Sequence, residues 1–165
     1  VQKAAIEAII TQGVRAGLSK DEIALTLAIA KHESGFNPDA AAGTTSAHGL
    51  GQFVNKTGKA YGLVDNNRWQ ISAQARALVK HTKDNIALAK RRGKGTEYVY
   101  KYHHDGPTKD YGGLATSKDK VMPLVSSFSK LLDGLDIPDK AAPEQKPIVE
   151  KELAPKISLR PQARN

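Results

Sequence analysis

The sequence contains no cysteine, so it has no disulfide framework, no thiol nucleophile and no thiolate zinc site. Aromatic residues make up only 5% of the chain, and no apolar run approaches the ~20 residues that a membrane-spanning helix needs. The hydrophobic fraction of 39% over 165 residues still suffices for a core. The composition therefore indicates one compact domain without thiol chemistry, compatible with a reducing or an oxidising compartment.

Positive charge is in excess, with a formal net charge of +8 and a pI near 9.6. Such a surface favours polyanionic partners: nucleic acid, anionic lipid or an acidic cell-wall polymer. The basic turn at residues 91–94 has no interleaved aromatic residues. It indicates a solvated turn or a contact for an anionic wall rather than a nucleic-acid site.

Apolar spacing predicts a mainly α-helical domain. Ser19 and Glu22 form an S-x-x-E capping box, and Gly35 is expected to end the helix that follows it. That helix is apolar on nearly every face, which is typical of a central buried helix. Other helical segments are predicted at residues 2–16, 54–62, 69–91, 96–104 and 117–133.

The composition changes from about residue 137. Five of the eight prolines lie beyond this point among Lys, Glu and Ala, and aromatic residues vanish. This pattern is typical of an extended linker rather than a core. We therefore predict a folded domain over residues 1–136 and a Pro-rich linker or tail over residues 137–165.

A carboxylate stands at the end of the buried helix, in the segment ESGFNP at residues 33–38. At helical spacing Glu33 shares a face with Thr26 and Ile29. We expect burial of this face to desolvate the carboxylate and raise its pKa, so that it stays protonated near neutral pH and can protonate a leaving oxygen. The alternative is a solvated helix-end glutamate paired with Lys31.

Two motifs give the chain a family resemblance. The segment ESGFNP matches the pattern E-S-x-F/Y-x-P, and GLGQF at residues 49–53 matches G-L-x-Q-(F/I). In this order and spacing the chain resembles the soluble-type lytic transglycosylases and their goose-type lysozyme cousins in the lysozyme superfamily, over roughly residues 4–132. The segment YHHDG at residues 102–106 departs from the family's Y-N-x-G pattern. The compact size, high charge and absent cysteines suit a bacteriophage enzyme or a wall-remodelling domain.

The resemblance implies a lysozyme-like helical fold with a sugar-binding cleft, and the activity of a peptidoglycan-cleaving muramidase. Glu33 would protonate the oxygen of the β-1,4 bond between N-acetylmuramic acid and N-acetylglucosamine. The same group, now a carboxylate, would take the proton of the muramic acid 6-hydroxyl, which closes onto C1 and leaves a 1,6-anhydro product. This route needs no second carboxylate, whereas the standard glycosidase scheme uses two.

The resemblance also implies residues that bind the substrate. Ser34 would orient Glu33 or a substrate acetamide, and Gln52 would contact Glu33 or the sugar; otherwise they are ordinary polar residues of a helix end and a loop. Gly49 and Gly51 would let the backbone turn and approach a ligand closely. The candidate set comprises Ser34, Gly49, Leu50, Gly51, Gln52, Phe53, Tyr102, His103, His104 and Asp105.

A second carboxylate would favour hydrolysis by water instead. Asp39, Asp65 and Asp105 are the candidates, and Asp105 is the best placed to position a water molecule. Its simpler interpretation is a turn residue whose side chain bonds its own backbone.

We expect no metal and no cofactor. His32-Glu33 is not an H-E-x-x-H motif, because position 36 is Phe. The adjacent side chains of His103, His104 and Asp105 point in different directions, which makes a poor chelate.

We therefore expect a monomeric lytic transglycosylase that acts on peptidoglycan glycan strands in the bacterial periplasm or cell wall, delivered by a phage or carried in its virion. The basic surface would bind anionic wall or membrane material, and we expect no nucleic-acid partner. The tail would join another domain or assembly. Two alternatives stay open. One is a hydrolytic lysozyme, and the other is a non-catalytic basic module that binds the wall or a polyanion in a phage or secretion assembly.

Overall fold

The computed structural model describes residues 2–137. All but the first residue of the tail predicted over residues 137–165 therefore lies outside the described part, and the domain division stays a prediction. The described part is mainly helical, as expected from the apolar spacing, and two isolated bridges, Ala41 to His48 and His48 to Phe53, are its only β pairings. A π-helical turn, Ser117–Val121, joins the last two α-helices. The α-helices are α1 (Gln2–Arg15), α2 (Lys20–Ser34), α3 (Asn55–Ala60), α4 (Ile71–Arg91), α5 (Glu97–Asp105), α6 (Gly113–Thr116) and α7 (Met122–Leu132).

Helix α2 forms the centre of the fold, as its apolar sequence predicts. Every residue from position 23 to position 30 is buried, and the helix contacts α1, α4 and α7. The predicted capping box is present: Glu22 N–H donates to Ser19 Oγ at 3.2 Å, and Ser19 N–H donates to Glu22 Oε1 at 2.9 Å. Gly35 ends the helix in the left-handed conformation, with φ of 60°.

The packing of α1 against α2 depends on a glycine within a helix. A Cβ atom on Gly13 would lie 2.7 Å from Cγ1 of Ile23, closer than packed atoms tolerate. Glycine costs a helix interior about 1 kcal/mol relative to alanine. Here that cost is offset by the close approach of the two helices.

The turn after α2 carries a second left-handed residue, Phe36, with φ of 65°. A bulky side chain rarely adopts this conformation, which costs of order 1–2 kcal/mol. The Phe36 ring is buried and meets the ring of Phe128 on α7 edge to face at 5.7 Å. Packing against α7 therefore stabilises the strained turn that directly follows Glu33.

The last predicted helix, residues 117–133, begins differently in the structure. The helical path starts at Gly113, widens into the π-helical turn and continues as α7, with Pro123 in its first turn. Because proline has no N–H, it cannot complete the α-helical pattern at this point, and the wider turn precedes it. Among residues 2–137, no helix combines the length and apolarity that crossing a membrane requires.

Candidate active site

Glu33 lies in the last turn of α2, and two residues of α5 hold its carboxylate. The Tyr100 hydroxyl donates a hydrogen bond to Glu33 Oε1 at 3.0 Å, and His103 Nε2 lies 3.4 Å from the same oxygen. The Glu33 side chain is 17% exposed. It is therefore partly enclosed, and it is not the solvated helix-end glutamate of the alternative interpretation.

The pKa of Glu33 differs from the sequence-based expectation. Burial is the largest influence and raises the pKa, but the hydrogen bonds from His103 and Tyr100 and the attraction of His103 and His32 together outweigh it. The net effect is a pKa below the usual value of a glutamate. The expectation of a raised pKa was therefore wrong for the free protein, because the helix pattern shows burial but not the donors that α5 brings to the carboxylate.

The loop at residues 49–53 is bound to the end of α2. The Ser34 hydroxyl lies 2.9 Å from the carbonyl oxygen of Leu50 and 3.1 Å from that of Ala30, so it can donate to either. The Leu50 side chain is fully buried. The two sequence motifs are thus neighbours in space, and Ser34 holds them together.

Gln74 on α4 supports the same loop from the other side, a role that no sequence pattern indicated. Gln74 is buried, with only 2% of its surface exposed. Oε1 accepts the Leu50 N–H at 2.9 Å, while Nε2 donates to the carbonyl oxygens of Pro38 at 2.9 Å and Arg68 at 2.8 Å. Gly49 has φ of 76°, and a Cβ atom there would lie 2.7 Å from Cδ of Gln74. The absence of a side chain at Gly49 therefore leaves the space that the Gln74 side chain occupies.

The other loop candidates are fixed by backbone contacts and ring packing. Gln52 has a left-handed backbone with φ of 51°, and its side-chain amide donates to the carbonyl oxygens of Ala40 and Gly49. The Gly51 carbonyl oxygen accepts a hydrogen bond from His103 Nε2 at 2.8 Å. Phe53 is buried and packs against His103 at a ring distance of 5.5 Å.

Tyr100, which was not among the predicted site residues, contacts Glu33. Tyr102 is buried beside Tyr98, with the Arg92 guanidinium over its ring. Residues 100 and 103 are three apart on α5 and share a face, and their rings stack at 5.7 Å. The helical spacing of Tyr100 and His103 is the signal that would have identified Tyr100.

Asp105 is bound within the protein rather than open to the solvent. Its side chain is 0% exposed and accepts hydrogen bonds from Lys101 Nζ at 3.1 Å, His104 Nδ1 at 2.6 Å and Gly113 N–H at 3.2 Å. Burial raises its pKa, but the bonds from His104, Lys101 and the Tyr111 backbone lower it overall. Asp105 therefore remains ionised and ties the end of α5 to the start of α6.

A cleft of about 420 Å³ opens beside the loop and α5. Glu33 does not line it, but His103 both lines it and touches Glu33. Six of the predicted residues line this cleft, namely Gln52, Phe53, Tyr102, His103, His104 and Asp105. Within residues 2–137 there is no group of three or more side chains suited to hold a metal ion.

Comparison with known proteins adds one finding. A family model described as phage tail lysozyme matches residues 2–122, a stretch that includes Glu33, the loop at residues 49–53 and all of α5. No curated protein and no solved structure matches the chain.

Proposed function

This chain belongs to the phage tail lysozyme family, whose lysozyme-like domain degrades peptidoglycan, and we propose that it does so as a lytic transglycosylase with Glu33 as the catalytic acid and base. The observation that carries the proposal is the partly enclosed Glu33 carboxylate, which lies beside donors from α5. We propose that the glycan lies in the cleft next to His103 and extends past this residue to the exposed part of the Glu33 side chain. Ser34, Gly49, Leu50 and Gly51 would then hold the loop in place rather than contact the sugar.

The proposed reaction needs one carboxyl group. The protonated Glu33 gives its proton to the glycosidic oxygen of N-acetylglucosamine as the bond from muramic acid C1 to that oxygen breaks. The Glu33 carboxylate then takes the proton of the muramic acid 6-hydroxyl, and the oxygen at C6 bonds to C1. The products are a free 4-hydroxyl on N-acetylglucosamine and a 1,6-anhydro end, and Glu33 is protonated again.

The environment of the other acids supports the single-carboxylate route. The Asp105 carboxylate already accepts hydrogen bonds from Lys101, His104 and Gly113, which leaves it poorly suited to activate a water molecule. Asp39 is exposed, and Asp65 is fully exposed beside Arg68 at 3.9 Å. The double-carboxylate scheme requires a second acid on the opposite face of the sugar.

The ionised state of Glu33 in the free protein sets a condition on this mechanism. The acid step requires a proton on Glu33, and the donors from Tyr100 and His103 oppose that proton. A bound glycan would cover the exposed 17% of the side chain and strengthen the influence of burial, which raises the pKa. We propose that substrate binding shifts Glu33 towards its acid form.

One observation favours a second candidate function, hydrolysis by water. His104 lines the cleft, and its Nδ1 atom is bonded to the buried Asp105. Asp105 would hold the ring so that Nε2 can accept a proton from water, which is the arrangement of a general base with an orienting carboxylate. Water activated in this way would leave a reducing end on the muramic acid.

We also propose where the protein acts, from its family and its net charge. A phage-associated protein that acts on the cell wall would reach the glycan from the periplasm, and its positive charge would retain it on anionic wall material. We propose a monomeric catalytic domain over residues 1–136, with the segment that follows joining it to another domain or to the virion.

Glu33→Gln tests the catalytic claim, with Glu7→Gln, an exposed glutamate on α1, as the matched control. We expect Glu33→Gln to slow the clearing of purified cell walls by about 10²-fold or more, the usual contribution of a general acid. The control should clear walls at the wild-type rate. Equal clearing by the wild type and Glu33→Gln would refute the role of Glu33.

Mass spectrometry of the released fragments separates the two reactions. Products with 1,6-anhydro ends support the transglycosylase, and products with reducing ends overturn it in favour of the hydrolase. A His104→Phe variant adds to this comparison, because the hydrolase with His104 as base would lose its activity.

A further inference from the structure

A buried histidine on α4 lies behind the residue that touches Glu33. His81 Nδ1 lies 3.2 Å from His103 Nδ1, and the two rings meet at 67° with centroids 5.0 Å apart. His81 is 1% exposed, and the His103 side chain is 3% exposed. The contact therefore lies within the protein, where the hydrogen-bonding state of each nitrogen has a strong effect on energy.

The partners of His103 determine which of its nitrogens carries hydrogen. The Gly51 carbonyl oxygen, 2.8 Å from His103 Nε2, can only accept, so Nε2 must carry a hydrogen as long as the ring keeps this orientation. Between the two Nδ1 atoms there is room for one hydrogen, because two lone pairs or two N–H groups would repel each other. With both rings neutral, His81 Nδ1 donates and His103 Nδ1 accepts. If one ring gains a proton the other must stay neutral, so the pair carries at most one positive charge.

We propose that His81 is a positioning residue of the active site, which fixes the orientation and hydrogen placement of His103 and thereby directs the Nε2–H group at the Gly51 carbonyl oxygen and the Glu33 carboxylate. The proposal rests on the proposed catalytic role of Glu33. Without the bond from His81, His103 can place its hydrogen on Nδ1. A bare Nε2 would then face two acceptor oxygens, and the ring would have to turn away from them.

The groups around the pair come from four parts of the fold. Glu33 is the acid that touches His103, whereas the Asp84 carboxylate accepts the Tyr61 hydroxyl at 2.6 Å. A charge on the pair therefore acts first on Glu33. The titratable groups in contact with one of the two rings are Glu33 from α2, Tyr61 after α3 and Tyr100 from α5. Three further titratable groups contact these tyrosines, namely His32 from α2, Asp84 from α4 and His104 from α5.

Two substitutions of His81 test the proposal. His81→Phe keeps a ring against Phe53 and Tyr61 but removes both nitrogens, whereas His81→Asn places an amide near the position of Nδ1 and can keep the bond to His103. We expect kcat for wall clearing to fall about tenfold in His81→Phe, the scale of a small misplacement at a reacting centre. KM should change little, and His81→Asn should recover most of kcat.

Nitrogen-15 NMR of histidine-labelled protein provides the second readout. In the wild type at pH 7.5, the His103 signals should show hydrogen on Nε2 and an acceptor at Nδ1, and this pattern should be lost in His81→Phe. A bare Nε2 in the wild type would overturn the proposal, as would an equal loss of kcat in both variants or no loss in His81→Phe. If His81→Phe does not fold, the wild type and His81→Asn still decide the question.

The two proposals fail separately. The NMR measurement requires no turnover, and wall clearing is scored whichever product ends are formed. Fragments with reducing ends would overturn the transglycosylase reaction but leave the role of His81 standing. Unaltered clearing by Glu33→Gln, in contrast, would remove the catalytic centre that His81 is proposed to serve.

Discussion

Replacing Gln74 by glutamate changes one atom of the buried amide that holds the loop at residues 49–53. In Gln74→Glu, one carboxyl oxygen can still accept the Leu50 N–H at 2.9 Å. The other replaces an NH2 group that donates to the carbonyl oxygens of Pro38 and Arg68. Because both of those partners are acceptors, an ionised carboxylate would face them without any hydrogen to share.

The size of the effect follows from the protonation state. A protonated carboxyl has one hydrogen for two carbonyl oxygens, so one hydrogen bond is lost, at a cost of about 1–3 kcal/mol. An ionised carboxyl loses both donors and places a buried charge against two carbonyl oxygens, at a cost of about 3–5 kcal/mol or more.

The cost should also depend on pH. Burial and the two carbonyl oxygens raise the folded-state pKa of the introduced carboxyl above its unfolded value of about 4.3. The folded state then binds more protons, so stability falls as the pH rises above about 4.3, by up to about 1.4 kcal/mol per pH unit, until the folded-state pKa is passed.

Urea unfolding followed by circular dichroism, at pH 4.5 and pH 7.5, measures this difference. Gln70→Glu, the same chemical change at an exposed position just before α4, is the matched control and should alter stability by no more than about 0.5 kcal/mol at either pH. We expect Gln74→Glu to lose more stability than its control, and more at pH 7.5 than at pH 4.5. An equal loss at both values, or a loss no larger than that of Gln70→Glu, would refute the role of Gln74 as a double donor.

Two further predictions concern the site. Gly49→Ala combines a left-handed φ with a Cβ atom 2.7 Å from Gln74, so it should destabilise the protein by about 2 kcal/mol or more. In Gly62→Ala, φ is 92° but nothing lies within 4 Å of the added atom, so thermal melting should show a loss of only about 1 kcal/mol; equal losses would contradict the clash. Tyr100→Phe removes a donor to the Glu33 carboxylate, so the pKa of Glu33 should rise. In the proposed reaction the acid form donates the proton, so the fall of kcat/KM with increasing pH should move to higher pH. A carbon-13 NMR titration that shows no rise in the pKa would count against this contact.

The central part of the fold was open to prediction because its signals are local. A capping box, a continuous apolar run and a glycine define both ends of α2 within 17 residues, Ser19 to Gly35. Glu33 at the end of that helix could be identified as a candidate for the same reason. The motif at residues 49–53 could be paired with it only through the family resemblance, since no spacing rule brings a loop to a helix end.

Other features depend on contacts between elements that are distant in sequence. Gln74 has no local pattern that distinguishes it from an exposed helix glutamine, yet its partners lie 6, 24 and 36 residues away. The sign of the pKa shift of Glu33 depends on Tyr100 and His103, which are brought in by α5. Burial could be predicted from the helix pattern, but the balance between burial and donors required the packing of two helices.

The contact between Phe36 and Phe128 links the turn after Glu33 to the order in which the chain is synthesised. Phe36 holds its left-handed backbone against a ring from α7, the last helix of the described part. During synthesis, residues 122–132 emerge after every other part of the site described above. We therefore expect the turn after Glu33 to adopt its final conformation only after this helix has left the ribosome and packed against Phe36. A nascent chain would carry the sequence of a lysozyme-like domain but not the finished turn beside Glu33, its proposed catalytic residue.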